Sequence, residues 1–351
     1  MTSLFLSGSR ARLLVTLGLL AILIGATIFV FVDPTKVPDI GLLSNKSTCS
    51  ISTSPSPELL QAQSHESVEP LADGAIRYER VESGTEPDIL WLVLTYDRLS
   101  WGRLPSPALA PQRSFDDFLL LLTETNIDAK NISLGLMTSS AAEFQHYVQA
   151  TKKYHFARLT IILHAGFDTD AVVDREHRHD DESQKARRSE LAQLRNYLML
   201  SSLTKERHVV WLDADVYYLD EGIIQRMVSH AESREDVGII TARCEAPWGP
   251  NYDLNAWAGS YKHERVVTDV VKDTTDDDLL PLTAVGATLL YIRASLVRRG
   301  VNFPCYYAVN TKWREDGDDG IESEGMCYQA RGLKGGGCFI LGGSWHTKHG
   351  D

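Results

Sequence analysis

Short apolar runs alternate with amphipathic segments along most of the chain. The runs are rich in strand-forming residues and lie at residues 89–95, 131–137, 159–164, 209–212, 237–241, 285–292 and 338–341. Segments with helical spacing of apolar residues lie between or beside them, at residues 114–123, 141–151, 186–203, 221–232 and 323–331. Alternating strands and helices predict an α/β domain with a parallel sheet and right-handed crossovers.

The run at residues 209–212 ends in two carboxylates, Asp213 and Asp215, separated by Ala214. Side chains at positions i and i+2 point the same way at the end of a strand, so these carboxylates should converge. A hard cation such as Mg²⁺ or Mn²⁺ relieves their repulsion and can hold a diphosphate. A solvated acidic strand end is the alternative. The apolar run before the pair and the helix-like segment after it favour the metal site.

The N-terminal part predicts a membrane anchor. Residues 13–32 carry no charge, and Arg10 and Arg12 precede them. This pattern predicts a cytoplasmic tail at 1–12 and a transmembrane helix at 13–32. A Ser- and Pro-rich flexible lumenal stem at 33–85 and a domain at 86–351 would follow. A cleaved signal peptide and a buried core helix are the alternatives.

Composition narrows the class of protein. The chain has 351 residues, of which 43% are hydrophobic, and a net charge of −12. That charge argues against a nucleic-acid binder.

Of five cysteines, Cys327 and Cys338 are the closest candidates for a disulfide, and Cys49 is the expected unpaired thiol. Sequons begin at Asn45 and Asn131, and the second stands at a strand start where burial could prevent its use.

Several polar segments are candidates for ligand binding. Residues 168–185 fit a mobile loop, a metal site using His177 and His179, or a donor-binding flap. Arg188 and Arg195 are seven residues apart and share a helix face, where they could pair with phosphate or form surface charge.

Two further segments also have two interpretations each. Residues 247–257 mix aromatic and amide side chains, as sugar sites do, but a loop pinned by its hydrophobic residues would look the same. Residues 315–325 are densely acidic and resemble a calcium loop only loosely. A catalytic or acceptor-binding cluster fits them as well. Gly286, before an apolar run, indicates close backbone approach.

Seven short blocks occur in a specific order. They are NISLG at 131–135, AQLRNYL at 192–198, VWLDAD at 210–215, YDLNAW at 252–257, VGATL at 285–289, VNFP at 301–304 and GIESEG at 320–325. With His349 behind them, they resemble the fungal Golgi mannosyltransferases that build the α-1,6-linked mannan backbone, glycosyltransferase family 62. The resemblance covers about residues 88–350. This chain has Ala287 where the family commonly shows a second glycine after Gly286.

The resemblance implies a fold and a cofactor. The fold would be a single Rossmann-like GT-A domain, with a mixed, mostly parallel sheet flanked by helices. The donor would be GDP-mannose and the metal Mn²⁺, with Mg²⁺ as the alternative. Asp213, Asp215 and His349 would be metal ligands, and His346 is the alternative to His349.

The resemblance also assigns the other site residues. Nucleotide and donor contacts would come from Arg195, Asn196, Asp213 and Asn255. The catalytic carboxylates, which face the sugar or the acceptor, would be Asp253, Glu322 and Glu324.

The family further implies a setting for the chain. It would be a single-pass type II protein of the Golgi membrane, associated with related mannosyltransferases, that adds mannose to an α-mannoside or N-glycan with retention. An enzyme using another nucleotide sugar and a non-catalytic complex subunit are the alternatives.

Overall fold

The computed structural model describes residues 64–105, 111–167, 181–260, 262–306 and 320–350. The strands are β1 Ser64–Pro70, β2 Ile76–Glu82, β3 Ile89–Leu94, β4 Ile132–Thr138, β5 Arg158–Leu163, β6 His208–Leu212, β7 Val216–Leu219, β8 Val237–Thr241, β9 Arg243–Glu245, β10 Trp257–Ala258, β11 Arg265–Val266, β12 Leu279–Pro281, β13 Leu289–Arg293, β14 Gly337–Leu341 and β15 His346–His349. The α-helices are α1 Phe115–Glu124, α2 Ala141–Ala150, α3 Asp181–Ser202, α4 Ile223–Ser233, α5 Val267–Val270, α6 Ala294–Val297 and α7 Ser323–Ala330. Short 3-10 helices lie at Arg98–Trp101, Ala129–Asn131 and Thr151–Lys153.

The main sheet has ten strands in the order β1-β2-β5-β4-β3-β6-β13-β8-β14-β12. Strands β5, β4, β3 and β6 pair in parallel, and so do β8 and β14. Strand β13 runs antiparallel between β6 and β8. The predicted α/β domain with a mixed, mostly parallel sheet is therefore confirmed.

Both faces of the sheet are buried, which explains why β3 reads as an unbroken apolar run. Trp91 and Val93 pack on one face, against α1, α2 and α4. Leu90 and Leu92 point to the other face, against α3, α6 and α7. Successive side chains alternate between the two cores, as the pleat of a strand requires.

The start of the domain differs from the prediction. Strands β1 and β2 form an antiparallel pair, and β2 continues the sheet by pairing with β5, with Ile76 opposite Leu163. The predicted flexible stem at 33–85 is therefore wrong for residues 64–82. β1 is polar and exposed along its length, as an edge strand can be, and only β2 buries side chains, at Tyr78 and Arg80.

The predicted membrane anchor at 13–32 lies outside the described residues, as do Asn45, Cys49 and the pair His177 and His179. Among the helices that the structure describes, none is long and apolar enough to cross a membrane.

A second sheet has three strands in the order β7-β15-β9. Its strand β7 begins at Val216, directly after the turn that follows β6. The segment directly after Asp215 forms β7, and the helix predicted at 221–232 is confirmed as α4. Strand β15 pairs antiparallel with β7 and parallel with β9. This pairing brings the last described residues next to the Asp213–Asp215 segment.

The predicted Cys327–Cys338 disulfide is present, with its Cα atoms 6.0 Å apart. It joins α7 to β14. Cys244 and Cys305 are free thiols in this structure.

Candidate active site

Main-chain hydrogen bonds fix the turn that follows β6. The Asp213 N–H donates to the Thr288 carbonyl at 3.0 Å, and the Gly350 N–H donates to the Asp215 carbonyl at 2.8 Å. The Arg113 guanidinium donates to the Ala214 carbonyl at 3.3 Å and to the Trp101 carbonyl at 3.1 Å. Three separate parts of the chain therefore hold the two carboxylates in place.

Asp213 faces a buried arginine on α3. The Arg195 Nη2 atom lies 2.8 Å from the Asp213 carboxylate, and its Nε atom lies 3.2 Å from Glu322. The guanidinium carbon also lies 5.4 Å from the ring centroids of Trp211 and Phe303. Burial opposes the charge on Arg195, but Glu322 and Asp213 outweigh that effect and raise its pKa.

Asp215 pairs with His349. The His349 Nε2 atom lies 2.9 Å from an Asp215 carboxylate oxygen. The imidazole stacks on the Tyr252 ring with centroids 3.8 Å apart. Burial would lower the pKa of His349, but the hydrogen bond and charge of Asp215 raise it overall. His346 instead contacts Asp220 at 3.0 Å, so His349 is the histidine beside the carboxylate pair.

The two carboxylates carry like charges and remain accessible to a ligand. Burial raises the pKa of Asp213, Arg195 opposes this shift, and the like charge of Asp215 adds to it. The side chains of Asp213 and Asp215 are 32% and 30% exposed. A ligand can therefore reach both carboxylates. Their like charges repel each other unless a counterion is bound.

Asp253 is tied to the same turn through Thr288. Its Oδ2 atom accepts from the Thr288 hydroxyl at 2.8 Å and from the Thr288 N–H at 3.2 Å. The Asn255 N–H donates to Oδ1 at 3.3 Å. Gly286 leaves room for this carboxylate, because a Cβ atom there would lie 1.8 Å from Asp253 Oδ2. The close approach predicted at Gly286 is confirmed.

Glu322 and Glu324 stand at the start of α7, and both are buried. Glu324 accepts from Arg188 at 3.0 Å and lies 3.4 Å from the Lys262 amine. Glu322 has φ of +63°, a left-handed conformation that is uncommon outside glycine. Strain of this kind persists where the surroundings dictate a conformation, and here it aims Glu322 at Arg195.

The Asn196 side chain has a structural role. Its side-chain amide donates to the Phe303 carbonyl at 2.6 Å and accepts from the Phe303 N–H at 2.8 Å. The amide therefore clamps the segment before α7 onto α3. A direct nucleotide contact by Asn196 stays a prediction, and the clamp explains the residue without one.

The donor set suits a divalent ion, but it is not gathered into a finished site. Across the described ranges, no three His, Cys, Asp or Glu side chains are arranged to hold a metal ion. Asp213 is turned to Arg195, and Asp215 to His349. Two carboxylates and an imidazole are nevertheless ligands that Mn²⁺ accepts. The Nδ1 atom of His349 is buried without a hydrogen-bond partner among the described residues.

Several supporting residues do not stand out in the sequence. Arg113 precedes the N-cap of α1, and no local pattern distinguishes it from a surface arginine. The apolar run at 285–292 predicts Thr288 inside a strand, yet β13 begins at Leu289. Lys262 lies in no recognisable motif. Each acts through a contact with a residue distant in sequence, which explains why local patterns do not reveal them.

Arg113→Met should destabilise the protein by about 2–3 kcal/mol, because two carbonyls lose a charged donor in a buried setting. Urea unfolding of the purified chain measures this. Arg299 also donates to a carbonyl, that of Lys334 at 2.7 Å, but it is exposed. Arg299→Met should cost less than about 0.5 kcal/mol. Equal effects of the two variants would contradict a bracing role for Arg113.

The fold and site define an α/β domain with an acidic cluster beyond the carboxyl end of a parallel strand, where such sheets bind ligands. The model of the Anp1 family matches residues 106–276. Together with the relatives described next, this match confirms the resemblance to the fungal mannan polymerase family.

Two relatives are mannan polymerase subunits by name. The chain is 25% identical over 260 residues to "Mannan polymerase complex subunit mnn9" of Schizosaccharomyces pombe, covering 63% of this chain and 73% of the relative. It is 23% identical over 251 residues to "Mannan polymerase complex subunit MNN9" of Candida albicans, covering 60% and 66%. The match therefore spans about two thirds to three quarters of the length of these relatives.

Among solved structures, the chain is similar to the 4-diphosphocytidyl-2C-methyl-D-erythritol synthase of Anaerococcus prevotii. The TM-score is 0.32 at 10% identity, covering 61% of this chain and 74% of that one. A TM-score of this size is too low to establish a common fold.

Proposed function

We propose that the chain is a mannosyltransferase subunit that transfers mannose from GDP-mannose to an α-mannoside acceptor with retention. The observation that carries the proposal is the placement of Asp213 and Asp215, partly exposed at the carboxyl end of β6. They lie in one network with Arg195, Glu322 and His349. The match to the Anp1 family model and the names of the relatives support mannose as the transferred sugar.

The charge of this network favours a cation together with a diphosphate. Its carboxylates are Asp213, Asp215, Asp253, Glu322 and Glu324, and its permanent cations are Arg188, Arg195 and Lys262. Arg113, which donates to the Ala214 carbonyl between the two aspartates, is a fourth permanent cation. With His349 neutral, as metal binding requires, the carboxylates exceed the permanent cations by one. A divalent cation offsets this excess and makes the approach of a nucleoside diphosphate favourable.

Asp213, Asp215 and His349 are the residues proposed to hold Mn²⁺, with Mg²⁺ as the alternative. The bound ion would neutralise charge on the diphosphate leaving group. Arg195 lies between Asp213 and Glu322, so its guanidinium orients both carboxylates. Tyr252 covers one face of His349 and keeps water away from it.

The contacts of Asp253 favour direct transfer over a covalent glycosyl intermediate. Both of its carboxylate oxygens accept hydrogen bonds, from Thr288 and from the Asn255 N–H. Hydrogen bonds to a carboxylate stabilise its charge and weaken it as a nucleophile. Glu322 is likewise held by Arg195. The acceptor hydroxyl is therefore proposed to attack from the face that the diphosphate leaves.

A non-catalytic role in a hetero-oligomer is the second candidate, because both relatives are named as subunits of a complex. In that case the acidic cluster would stabilise a surface for a partner. With either role, catalytic or non-catalytic, we propose that the chain is located in the Golgi membrane with its domain in the lumen.

The test is transfer by the purified chain without partners. GDP-mannose, GDP-fucose and a UDP-sugar are offered with Mn²⁺ and short α-mannosides, and the linkage of any product is read by NMR. We expect transfer from GDP-mannose alone and an α-linked product. No transfer by the isolated chain, with full activity of a reconstituted complex whose Asp213 is changed to Asn, would establish the non-catalytic role.

A further inference from the structure

Asn131 begins an Asn-Ile-Ser sequon at the entrance to β4, and its three residues differ sharply in exposure. Asn131 is exposed, whereas Ile132 and Ser133 are each only 1% exposed. Main-chain bonds fix Asn131, because its N–H donates to the Asp128 carbonyl at 2.8 Å and its carbonyl accepts from the Asp88 N–H at 3.0 Å. A position at the start of a strand suggests burial, but the structure turns the Asn131 side chain to solvent.

The surroundings of Asn131 suit a carbohydrate. It lines an open groove of about 790 Å³, whose polar lining includes Asp88, Asn126, Asp128, Gln225 and Glu232. Asp88 and Glu232 already accept from Arg207, and Gln225 donates to the Thr125 carbonyl. The remaining lone pairs of their oxygens can still accept from sugar hydroxyls. The groove lies where β3 and β4 begin, and Asp213 follows the opposite end of the parallel neighbour β6. Sugar chains here would leave the acidic cluster open.

We propose that Asn131 carries an N-linked glycan whose first sugars lie over this groove. The inference rests on the lumenal orientation that belongs to the proposed function. The donor is a lipid-linked oligosaccharyl diphosphate. Asn131 Nδ2 forms a bond to C1 of the sugar, the C1–O bond to the diphosphate breaks, and the amide proton leaves with the lipid diphosphate.

The modification precedes folding of β4. The Ser133 hydroxyl, the third sequon position, is buried and donates to Glu206 at 2.5 Å. Glu206 is itself fully buried. A transferase that must contact this hydroxyl can reach it only before the strand enters the sheet. Folded protein that lacks the glycan should therefore be a poor acceptor.

The test uses the full chain made in a eukaryotic secretory pathway. The wild type, Asn131→Gln, Asn45→Gln and the double variant are compared by gel mobility before and after removal of N-glycans, and modified peptides are identified by mass spectrometry. We expect Asn131→Gln to lose the mobility shift of one glycan. Asn45→Gln is the matched control for the other sequon and should leave Asn131 modified.

A second measurement addresses timing. Unglycosylated wild-type protein is offered to the purified oligosaccharyl transferase with its lipid-linked donor, once folded and once unfolded in urea and diluted. We expect modification of Asn131 in the second case only. An unmodified Asn131 peptide from secretory-pathway protein would overturn the proposal, whether or not Asn45 is modified. Mannosyl transfer is assayed separately on the same preparations, so its loss would count against the proposed function alone.

Discussion

Asp215→Asn is expected to reduce mannosyl transfer about a hundredfold or more. The substitution keeps the shape of the side chain but removes the charge that pairs with His349 at 2.9 Å. It also removes half of the carboxylate pair proposed to hold the metal, and losses of this size are usual when charge stabilisation of a leaving group is removed. Activity should be measured over a Mn²⁺ titration, because a weakened site raises the metal concentration required.

The chain offers a matched control in a second Asp–His pair. Asp220 lies 3.0 Å from His346 in the same three-stranded sheet region, outside the acidic cluster. Asp220→Asn should therefore lower stability modestly and leave the rate of transfer close to that of the wild type. If Asp215→Asn retained full activity in excess chelator, the proposed role of the Asp213–Asp215 pair would be wrong.

Gly286→Ala is expected to impair both stability and transfer. The added Cβ atom would lie 1.8 Å from Asp253 Oδ2, so Asp253 must leave its place and lose its bonds to Thr288. Overpacking of this kind costs about 1–3 kcal/mol. Because the Thr288 carbonyl also accepts from the Asp213 N–H, displacement should reach the site, where a shift of about 1 Å can cost roughly a hundredfold in rate.

Two variants isolate the cause of this effect. A Cβ atom added at Gly249 would meet nothing within 4 Å, so Gly249→Ala in the same region should behave like the wild type. Combining Gly286→Ala with Asp253→Ala removes the clash and should recover part of the lost melting temperature without restoring transfer. A single Gly286→Ala variant with wild-type melting temperature and rate would refute the close packing described here.

The main sheet was predictable because its strands are buried on both faces. Runs such as residues 89–95 have no polar face, and they stand out from the amphipathic helices between them. The direction of β13 was not predictable, because an apolar run carries no information about parallel or antiparallel pairing. The predicted strand at 285–292 also starts too early, since residues 285–288 are buried but precede β13 and support Asp253 and Asp213.

The site residues that belong to a local sequence motif were predictable. Those that reach the site through contacts distant in sequence were not. Asp213 and Asp215 are visible because an apolar strand points to them. The choice of His349 over His346 needed the register of β15, which places His349 opposite Val216. The predicted end of the flexible stem, at residue 85, is too late in the chain. The hairpin of β1 and β2 is polar on its exposed side and lies beside a Ser- and Pro-rich stretch, so its sequence resembles that of the stem.

The pairing of β15 with β7 and β9 also sets an order of events during synthesis. A chain emerging from the ribosome folds its N-terminal parts first, and Asp213 and Asp215 are synthesised well before His349. The core strands β3 to β6 can assemble while the acidic cluster still lacks its histidine. The contact between Asp215 and His349 therefore forms only after β15 has joined β7 and β9.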